Sequence, residues 1–229
     1  MVFATEDTLA YDGYKLQYDC TKKTADRWSY SLDKTNKGYA KRPRSYYYDP
    51  SYPKECQQKS LRSYGRGYNR GHLVASSHMD YSVHSRHEAH YITNILPQVI
   101  QFNGGIWQHT ESMTACQRQF NNVTVYGGVI YNDDSNDLFV ESHGVRTPDL
   151  WWKVLLTVDN RGNDKIISWL IPNDFKLGPL EEYLVSVKDI ERQLNDNLGL
   201  IPVSESLKRF KATMNWPRCS SFSFNIQKD

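Results

Sequence analysis

Alternating apolar and polar residues near the start of the chain predict a β-hairpin. The alternation covers Tyr14–Asp19 and Arg27–Leu32, and Lys22-Lys23-Thr24 between them fits the turn. Segments rich in β-branched and aromatic residues predict further strands at Val123–Tyr131, Trp151–Val158 and Lys165–Ile171, with a short strand at Leu73–Ala75. We therefore expect a central antiparallel sheet.

Helical spacing recurs in three places. Apolar residues at Ile106, Trp107, Met113, Cys116 and Phe120 predict a helix from about Gly105 to Gln119. Two more helices are predicted at Val187–Leu198, where Ser186 and Asp189 form a capping box, and at Glu205–Met214. Asp33–Asn69 has no clear periodicity, and connections of that length are usually functional. No repeat or linker divides the chain. We expect one α+β domain over residues 1–229, its central antiparallel sheet flanked by helices.

The composition is typical of a globular protein. The 229 residues are 39% hydrophobic and 24% charged, which excludes collagen-like, coiled-coil and largely disordered chains. No apolar run approaches the roughly 18 residues of a membrane helix, so we expect no membrane partner. The first residues lack the basic and apolar regions of a signal peptide. Either the protein is intracellular, or a signal segment has been removed ahead of residue 1.

Four widely spaced cysteines bear on the compartment. Cys20, Cys56, Cys116 and Cys219 contain no C-x-x-C pair, which argues against a zinc cage or a thioredoxin-like motif. Three pairings are possible, and we favour Cys20 with Cys56 and Cys116 with Cys219. The alternative is four reduced thiols in an intracellular protein. If the cysteines are oxidised, a secreted or periplasmic location is the simplest interpretation.

The charges are unevenly distributed. The chain has 28 basic and 26 acidic side chains, a formal net charge of +2. Between Asn36 and Arg70, however, nine basic residues face two acids, and the same segment holds seven of the 16 tyrosines. Cations neutralise phosphates and aromatic rings stack on bases, so this segment is typical of nucleic-acid contact. A solvated, tyrosine-rich loop is the alternative interpretation.

A histidine and two oxygen-bearing side chains are candidates for chemistry. His72, in Asn69-Arg70-Gly71-His72, could serve as a general base, because imidazole exchanges a proton near neutral pH. The amide oxygen of Asn103 suits a hard cation that keeps most of its waters. Glu111 lies eight residues further on, about 12 Å along a regular helix, which is too far to share the ion's first shell with Asn103 if both are helical, but it could bind a metal-bound water. Structurally, the three could instead be a core histidine, a helix cap and a surface charge.

As an ordered set, these motifs resemble the DNA/RNA non-specific endonucleases of the ββα-metal class. The resemblance rests on Asn-Arg-Gly-His at 69–72, Thr-Asn-Ile-Leu-Pro-Gln at 93–98 and Asn-Gly-Gly-Ile-Trp at 103–107. Tyr126-Gly127-Gly128, residues 147–154 and Ile171-Pro172-Asn173 extend it. It covers about residues 14–175, and 176–229 would be a helical C-terminal part of the same domain. It implies a ββα-metal motif within the fold.

The resemblance implies hydrolysis of DNA and RNA to 5′-phosphate products. His72 would be the general base, Asn103 the sole direct protein ligand of one Mg²⁺ ion, which Mn²⁺ could replace, and Glu111 a ligand through water. Arg70 would support the site near the scissile phosphate. Arg44, five residues before Asp49-Pro50, matches the family arginine that holds the transition-state phosphate, with Arg42 as a near alternative. The expected nucleic-acid contacts are Arg42, Arg44, Arg66, Arg70, Asn94 and Gln98.

One residue departs from the family pattern. Asn69 stands where the family has aspartate, and Asn keeps a hydrogen-bond acceptor for a metal-bound water but loses the charge. A catalytically silent nucleic-acid-binding domain is therefore one alternative function, and a phosphodiesterase toxin domain is another. His84, His87 and His90 could suggest a transition-metal site, although a polar helix face explains them as well. The sequence identifies no oligomeric state and no protein inhibitor.

Overall fold

Eight strands and four α-helices form the described part of the chain, residues 6–36, 38–213 and 216 of a computed structural model. The strands are β1 (Glu6–Tyr11), β2 (Tyr14–Asp19), β3 (Thr24–Leu32), β4 (Tyr68–His72), β5 (Ile95–Val99), β6 (Val123–Ile130), β7 (Leu150–Val158) and β8 (Asp164–Pro172). The helices are α1 (Val83–Glu88), α2 (Gln108–Gln117), α3 (Val187–Gln193) and α4 (Glu205–Lys208). Short 3₁₀ turns occupy 54–56, 76–78, 92–94 and 180–183, and a π-helical segment, Phe102–Trp107, leads directly into α2.

Six of the strands form one antiparallel sheet in the order β1-β2-β3-β6-β7-β8. The main core lies on the face where Trp28 and Trp151 meet Trp107 of the π-helical segment. A smaller core on the other face includes Trp152 and Ile190 of α3. The predicted α+β class with a central antiparallel sheet is confirmed.

A separate two-stranded ribbon carries the first two sequence motifs. Strands β4 and β5 pair antiparallel, with Arg70 opposite Pro97 and Gly71 opposite Leu96, and the helix of residues 102–117 follows β5 after two residues. This is the strand-strand-helix arrangement that the motif resemblance implies. It brings the Asn-Arg-Gly-His box and the Asn103 segment, about thirty residues apart in sequence, to one place.

Asn94 ties the segment after β4 to the start of β5. Its Oδ1 accepts a hydrogen bond from the Val74 N–H at 2.9 Å, and its Nδ2 donates to the carbonyl oxygens of Val74 and Ala89, each at 2.9 Å. The side chain is fully buried. It therefore satisfies three main-chain groups that would otherwise be buried without partners.

Several predicted element boundaries were wrong. Leu73–Ala75 is not a strand, because the Asn94 side chain takes both main-chain groups of Val74 and leaves none for a strand ladder. The helix predicted from Gly105 begins earlier, because Asn103 and the two following glycines join the π-helical segment. Helix α3 ends at Gln193 rather than at Leu198, because Leu194 adopts extended backbone angles. Helix α4 ends at Lys208, and the predicted end, Met214, lies outside the described residues.

The disulfide prediction is confirmed for its first pair, since Cys20 is bonded to Cys56. This bond fastens the long segment after β3 to the end of β2. Cys116 is also disulfide-bonded, and its predicted partner, Cys219, lies outside the described residues. None of the described helices is long and apolar enough to cross a bilayer.

Removing the Cys20–Cys56 bond should destabilise the protein substantially. The bond closes a loop with a sequence separation of 36, for which the chain-entropy estimate is about 4 kcal/mol. We expect the paired variant Cys20→Ser with Cys56→Ser to lose most of this amount in urea unfolding. Iodoacetamide should label no cysteine of the native chain before reduction and four after it. Labelling of Cys20 or Cys56 without reduction would contradict the bond.

Replacing Asn94 should affect stability rather than nucleic-acid binding. Asn94→Ala leaves three buried main-chain groups without partners, at about 1 to 3 kcal/mol for each. We therefore expect a loss of about 3 kcal/mol or more in urea unfolding. The matched control Asn197→Ala, at an exposed position, should change stability by about 0.5 kcal/mol or less. If the Asn94→Ala protein were as stable as the wild type but bound DNA weakly, Asn94 would be a nucleic-acid contact, as the sequence predicted.

Candidate active site

A cleft of about 300 Å³ opens at the end of β4 and collects residues from five parts of the chain. Strand β4 contributes Arg70 and His72, and the helix after β5 contributes Asn103, Gly104, Gln108 and Glu111. Arg42 reaches it from the long segment after β3, and Arg86 from α1. Ala75, Ser76 and Ser77 complete the wall. Most of the charged groups lining this cleft are cationic.

The strand geometry of β4 decides which residues of the motif face the cleft. Alternate residues of a strand lie on opposite faces, so Arg70 and His72 share one face and Asn69 and Gly71 the other. A Cβ atom on Gly71 would lie 2.2 Å from the side chain of Gln98, so no other residue fits beneath this side chain. Only the face with Arg70 and His72 lines the cleft. The expected water-mediated metal contact of Asn69 therefore finds no support in this geometry.

His72 is held neutral with one shielded nitrogen. Its ring contacts those of Tyr46 and His90, with centroids 5.7 and 4.9 Å away. Its Nε2 is buried and has no hydrogen-bond partner among the described residues. Burial first, then the charges of His90 and of the three cleft arginines, lowers the pKa of His72 well below 6.5. A neutral imidazole with an unengaged nitrogen is able to accept a proton.

Arg70 and Arg42 are the predicted cations that reach the cleft. The Arg70 guanidinium lies over the Tyr46 ring, 4.2 Å from its centroid, and Nη1 donates to the Leu61 carbonyl at 2.8 Å. Arg42 lines the cleft, whereas Arg44 is exposed and is not part of its wall. Of the two candidates left open by the sequence, the structure brings Arg42 to His72.

Asn103 and Glu111 face the same cleft despite their eight-residue separation. Both lie on one helix, Asn103 in its π-helical part and Glu111 in the first turn of α2. Their amide and carboxylate oxygens are ligands suited to Mg²⁺. In the described residues no group of three or more His, Cys, Asp or Glu side chains could hold a metal ion. A cation here would therefore keep water for most of its ligands, as Mg²⁺ commonly does.

A buried lysine lies beneath Glu111. Lys153 of β7 is 1% exposed, donates from Nζ to Thr110 Oγ1 at 2.7 Å and lies 3.8 Å from the Trp107 ring centroid. Burial lowers the pKa of Lys153 to about 8, and Glu111 opposes this shift. Burial likewise raises the pKa of Glu111, against the attraction of Lys153 and Arg42. The two cations thus favour a charged carboxylate in the cleft.

His78 fixes the backbone at Glu111. Its Nε2 donates to the Glu111 carbonyl oxygen at 3.1 Å, which leaves Nδ1 to accept from the Tyr30 hydroxyl at 2.9 Å. Burial lowers the pKa of His78 to about 3, so it stays neutral. This chain of contacts joins β3 of the sheet to α2 and positions the helix that carries Glu111.

The remaining predicted site residues lie away from the cleft. Asn94 and Gln98 are fully buried, and both side-chain atoms of Gln98 lack a hydrogen-bond partner among the described residues. Arg66 is exposed at a tight turn, with a left-handed φ of 55°. Its neighbour Tyr68 donates its N–H to the Gly65 carbonyl at 2.9 Å, which closes this turn.

The three histidines of the possible transition-metal site occupy different surroundings. His84 Nε2 lies 3.2 Å from a carboxylate oxygen of Glu88. The His87 ring stacks on Tyr47, with centroids 4.3 Å apart. His90 is buried and donates from Nδ1 to the Arg86 carbonyl at 3.0 Å. Each histidine thus contacts different groups of the protein in the α1 region, which favours a structural role for all three.

Most tyrosines of the basic segment are engaged within the protein. Tyr64 and Tyr68 are buried in the core, and Tyr52 donates to Asp7 at 2.7 Å. Tyr46 supports Arg70 and His72, as described above. Tyr39, 93% exposed, remains available to stack on a base. Residues 36–70 therefore contribute mainly cations to the site, and few tyrosine rings that could stack on a base.

Sequence reasoning missed Arg86 and gave His90 and Lys153 other roles. Arg86 belongs to no motif, His90 was considered only for a transition-metal site, and Lys153 only as part of the strand motif at residues 147–154. A lysine between Trp152 and Val154 in a predicted buried strand was the available signal for Lys153. A charged residue in such a run needs a buried partner.

Known proteins resemble this chain along most of its length. The profile of the DNA/RNA non-specific endonuclease family matches residues 2–201. The mitochondrial nuclease EXOG of Xenopus laevis is 27% identical over 221 residues, covering 85% of this chain and 61% of that protein. Human mitochondrial Endonuclease G is 28% identical over 140 residues, covering 56% of this chain and 47% of that protein. The chain thus spans about half to three fifths of the length of these relatives.

The fold has a solved counterpart. A crystal structure of an EndoG/EndoGI complex matches with a TM-score of 0.67 and 21% identity, covering 83% of this chain and 85% of that one. Its fold agrees with the antiparallel sheet described above. With the family profile matching most of the sequence, the chain belongs to the DNA/RNA non-specific endonuclease family.

Proposed function

We propose that this protein is a magnesium-dependent endonuclease that hydrolyses DNA and RNA to 5′-phosphate products, with His72 as its general base. The observation that carries the proposal is the position of His72. His72 lines a cleft that also contains Asn103 and three arginines, and its Nε2 has no hydrogen-bond partner among the described residues. Family membership supports the substrate class.

The roles of the residues follow from the cleft. Neutral His72 takes a proton from a water molecule, whose oxygen attacks phosphorus while the bond to the 3′ oxygen breaks. The 3′ oxygen leaves with a proton drawn from water. Arg42 and Arg70 bind the non-bridging oxygens, and the contacts of Arg70 with Tyr46 and Leu61 keep its guanidinium in place. The proton gained by His72 is then released to solvent.

Asn103 would hold the magnesium ion directly, and Glu111 would hold it through water. When bound, such an ion supplies Lewis-acid stabilisation of the charge that builds up on the phosphate and the leaving oxygen. Lys153 attracts the Glu111 carboxylate through its charge, and His78 holds the Glu111 main chain through a hydrogen bond. They keep the carboxylate available on the cleft side.

The cleft offers charge rather than base recognition. Its arginines suit phosphates, and contacts to phosphate carry no sequence information. This supports hydrolysis with little base preference. The disulfide-bonded cysteines support an oxidising compartment, so we propose a secreted or periplasmic enzyme. The mitochondrial location in the names of EXOG and Endonuclease G describes those relatives and is not carried over to this protein.

A plasmid-nicking assay tests the activity. With Mg²⁺ the wild-type protein should convert supercoiled plasmid to nicked and linear forms, and EDTA should abolish this conversion. His72→Ala should reduce the rate by several orders of magnitude and keep the wild-type unfolding curve, since it removes the base without disturbing the ribbon. Asn103→Ala should require a higher Mg²⁺ concentration for half-maximal rate. A His72→Ala protein as active as wild type would refute the assignment.

The same assay separates the alternatives. Salt-sensitive DNA binding by the wild-type protein without any nicking would identify a silent binding domain. Hydrolysis confined to small phosphodiesters, with plasmid left intact, would indicate a phosphodiesterase of another substrate class.

The pH profile should reflect the depressed pKa of His72. Activity requires the neutral imidazole, so kcat/KM should fall only as pH drops below 6.5. Arg42→Met removes a nearby positive charge, which should raise the pKa of His72 and move this acid limb to higher pH. Arg42→Lys keeps the charge, and its limb should stay near the wild-type position. An acid limb centred above 6.5 in the wild type would contradict the described environment.

A further inference from the structure

Arg86 is a cleft cation that no sequence motif includes. It lies on α1, a short helix whose cap residue, Ser82, accepts a hydrogen bond from the Ser85 N–H. Its side chain lines the cleft together with Arg42 and Arg70. The mechanism above uses those two arginines and leaves Arg86 without a role.

The protein holds the Arg86 guanidinium in a fixed orientation. Nε donates to Ser76 Oγ at 3.4 Å, and Nη1 donates to the carbonyl oxygen of Ala40. Ala40 is itself tied down, because its N–H donates to the Asp80 carbonyl at 3.0 Å. A guanidinium has five N–H groups, and these two bonds occupy two of them. The remaining donors suit a planar anion such as phosphate.

The cleft lining carries more positive than negative charge, which favours the binding of more than one phosphate. Three guanidinium groups and one carboxylate line it, and a single phosphodiester adds only one negative charge. Burial lowers the pKa of Arg86, but an arginine stays charged in proteins. Arg42 acts on Arg86 as a like charge, and the Asp80 carboxylate, which also pairs with Arg118 at 3.7 Å, offsets part of this repulsion. An additional anion would relieve this repulsion.

Arg86 reaches the cleft from a different element than the proposed base. Arg70 lies on β4 with His72, whereas Arg86 lies on α1. Neighbouring phosphates of one strand follow each other about every 3.4 Å along the helix axis, so the next phosphate lies close to the first.

We propose that Arg86 binds the phosphate next to the scissile one on the same strand. Arg86 is then a specificity-determining residue, which favours strands with a charged flanking linkage over isolated phosphodiesters. The proposal rests on the nuclease function given above. It assigns α1 to substrate binding, whereas the motifs of β4 and of the following helix serve the chemistry.

Short substrates with one neutral linkage test this assignment. The probes are trinucleotides with two phosphodiesters, and matched trinucleotides with a methylphosphonate on the 5′ or the 3′ side. For the wild type, one of the two neutral substitutions should lower kcat/KM at the intact linkage about tenfold to a hundredfold. Arg86→Met should lose a similar factor on the fully charged trinucleotide and should be insensitive to that substitution. The matched control Arg161→Met, at an exposed loop position, should behave as wild type.

Binding measurements separate this proposal from the proposed nuclease function. In the His72→Ala background, affinities for the same trinucleotides with Mg²⁺ should show the same pattern, whether or not the wild type hydrolyses them. Absence of hydrolysis with this binding pattern would refute the nuclease and keep the Arg86 contact. If neither neutral linkage weakens the wild type by more than about twofold, the proposal is overturned. It is also overturned if Arg86→Met keeps the full penalty for the neutral linkage.

Discussion

The close contact between Gly71 and Gln98 determines how the active-site ribbon is built. A Cβ atom at position 71 would lie 2.2 Å from the Gln98 side chain, so the two strands of the ribbon pack this way only with glycine there. The neighbouring residues Arg70 and His72 then face away from this contact and into the cleft. Asn94 holds the segment after β4 in place through its hydrogen bonds with the main chain of Val74. The position of His72 is thus a consequence of packing on the opposite face of the strand.

The electrostatics of the cleft depend on the same placement. His72 lies among arginines and its Nε2 is buried, so its pKa is lowered and the imidazole stays neutral. The cations that depress its pKa are also the groups that would bind phosphate. A bound phosphate would offset them and raise the proton affinity of the base in the complex. In the proposed mechanism, substrate binding and activation of the base are therefore coupled through the arginines.

The sequence predicts the framework and the central residues better than the residues around them. Alternation predicted β2 and β3, whereas richness in β-branched and aromatic residues predicted β6, β7 and β8, most of whose residues are buried. The family resemblance implied that His72, Asn103 and Glu111 form one site, and they share the cleft. Spacing along the chain does not determine the path of an irregular segment, so it left Arg42 and Arg44 as alternatives. It also assigned Asn94 to nucleic-acid contact, although its amide serves main-chain groups that only the folded structure brings together.

The excess of basic residues in residues 36–70 does not mean that the whole segment lines the cleft. Lys59 and Lys54 of this segment face protein groups, the Glu141 carbonyl and the Tyr48 ring. Arg42 and Arg70 reach the cleft, and the third cation, Arg86, comes from α1, outside the segment. Arg86 donates to the Ala40 carbonyl, two residues before Arg42, so α1 also fastens the loop that carries Arg42. Positive charge at the site is therefore assembled by tertiary contacts, which a count along the chain does not register.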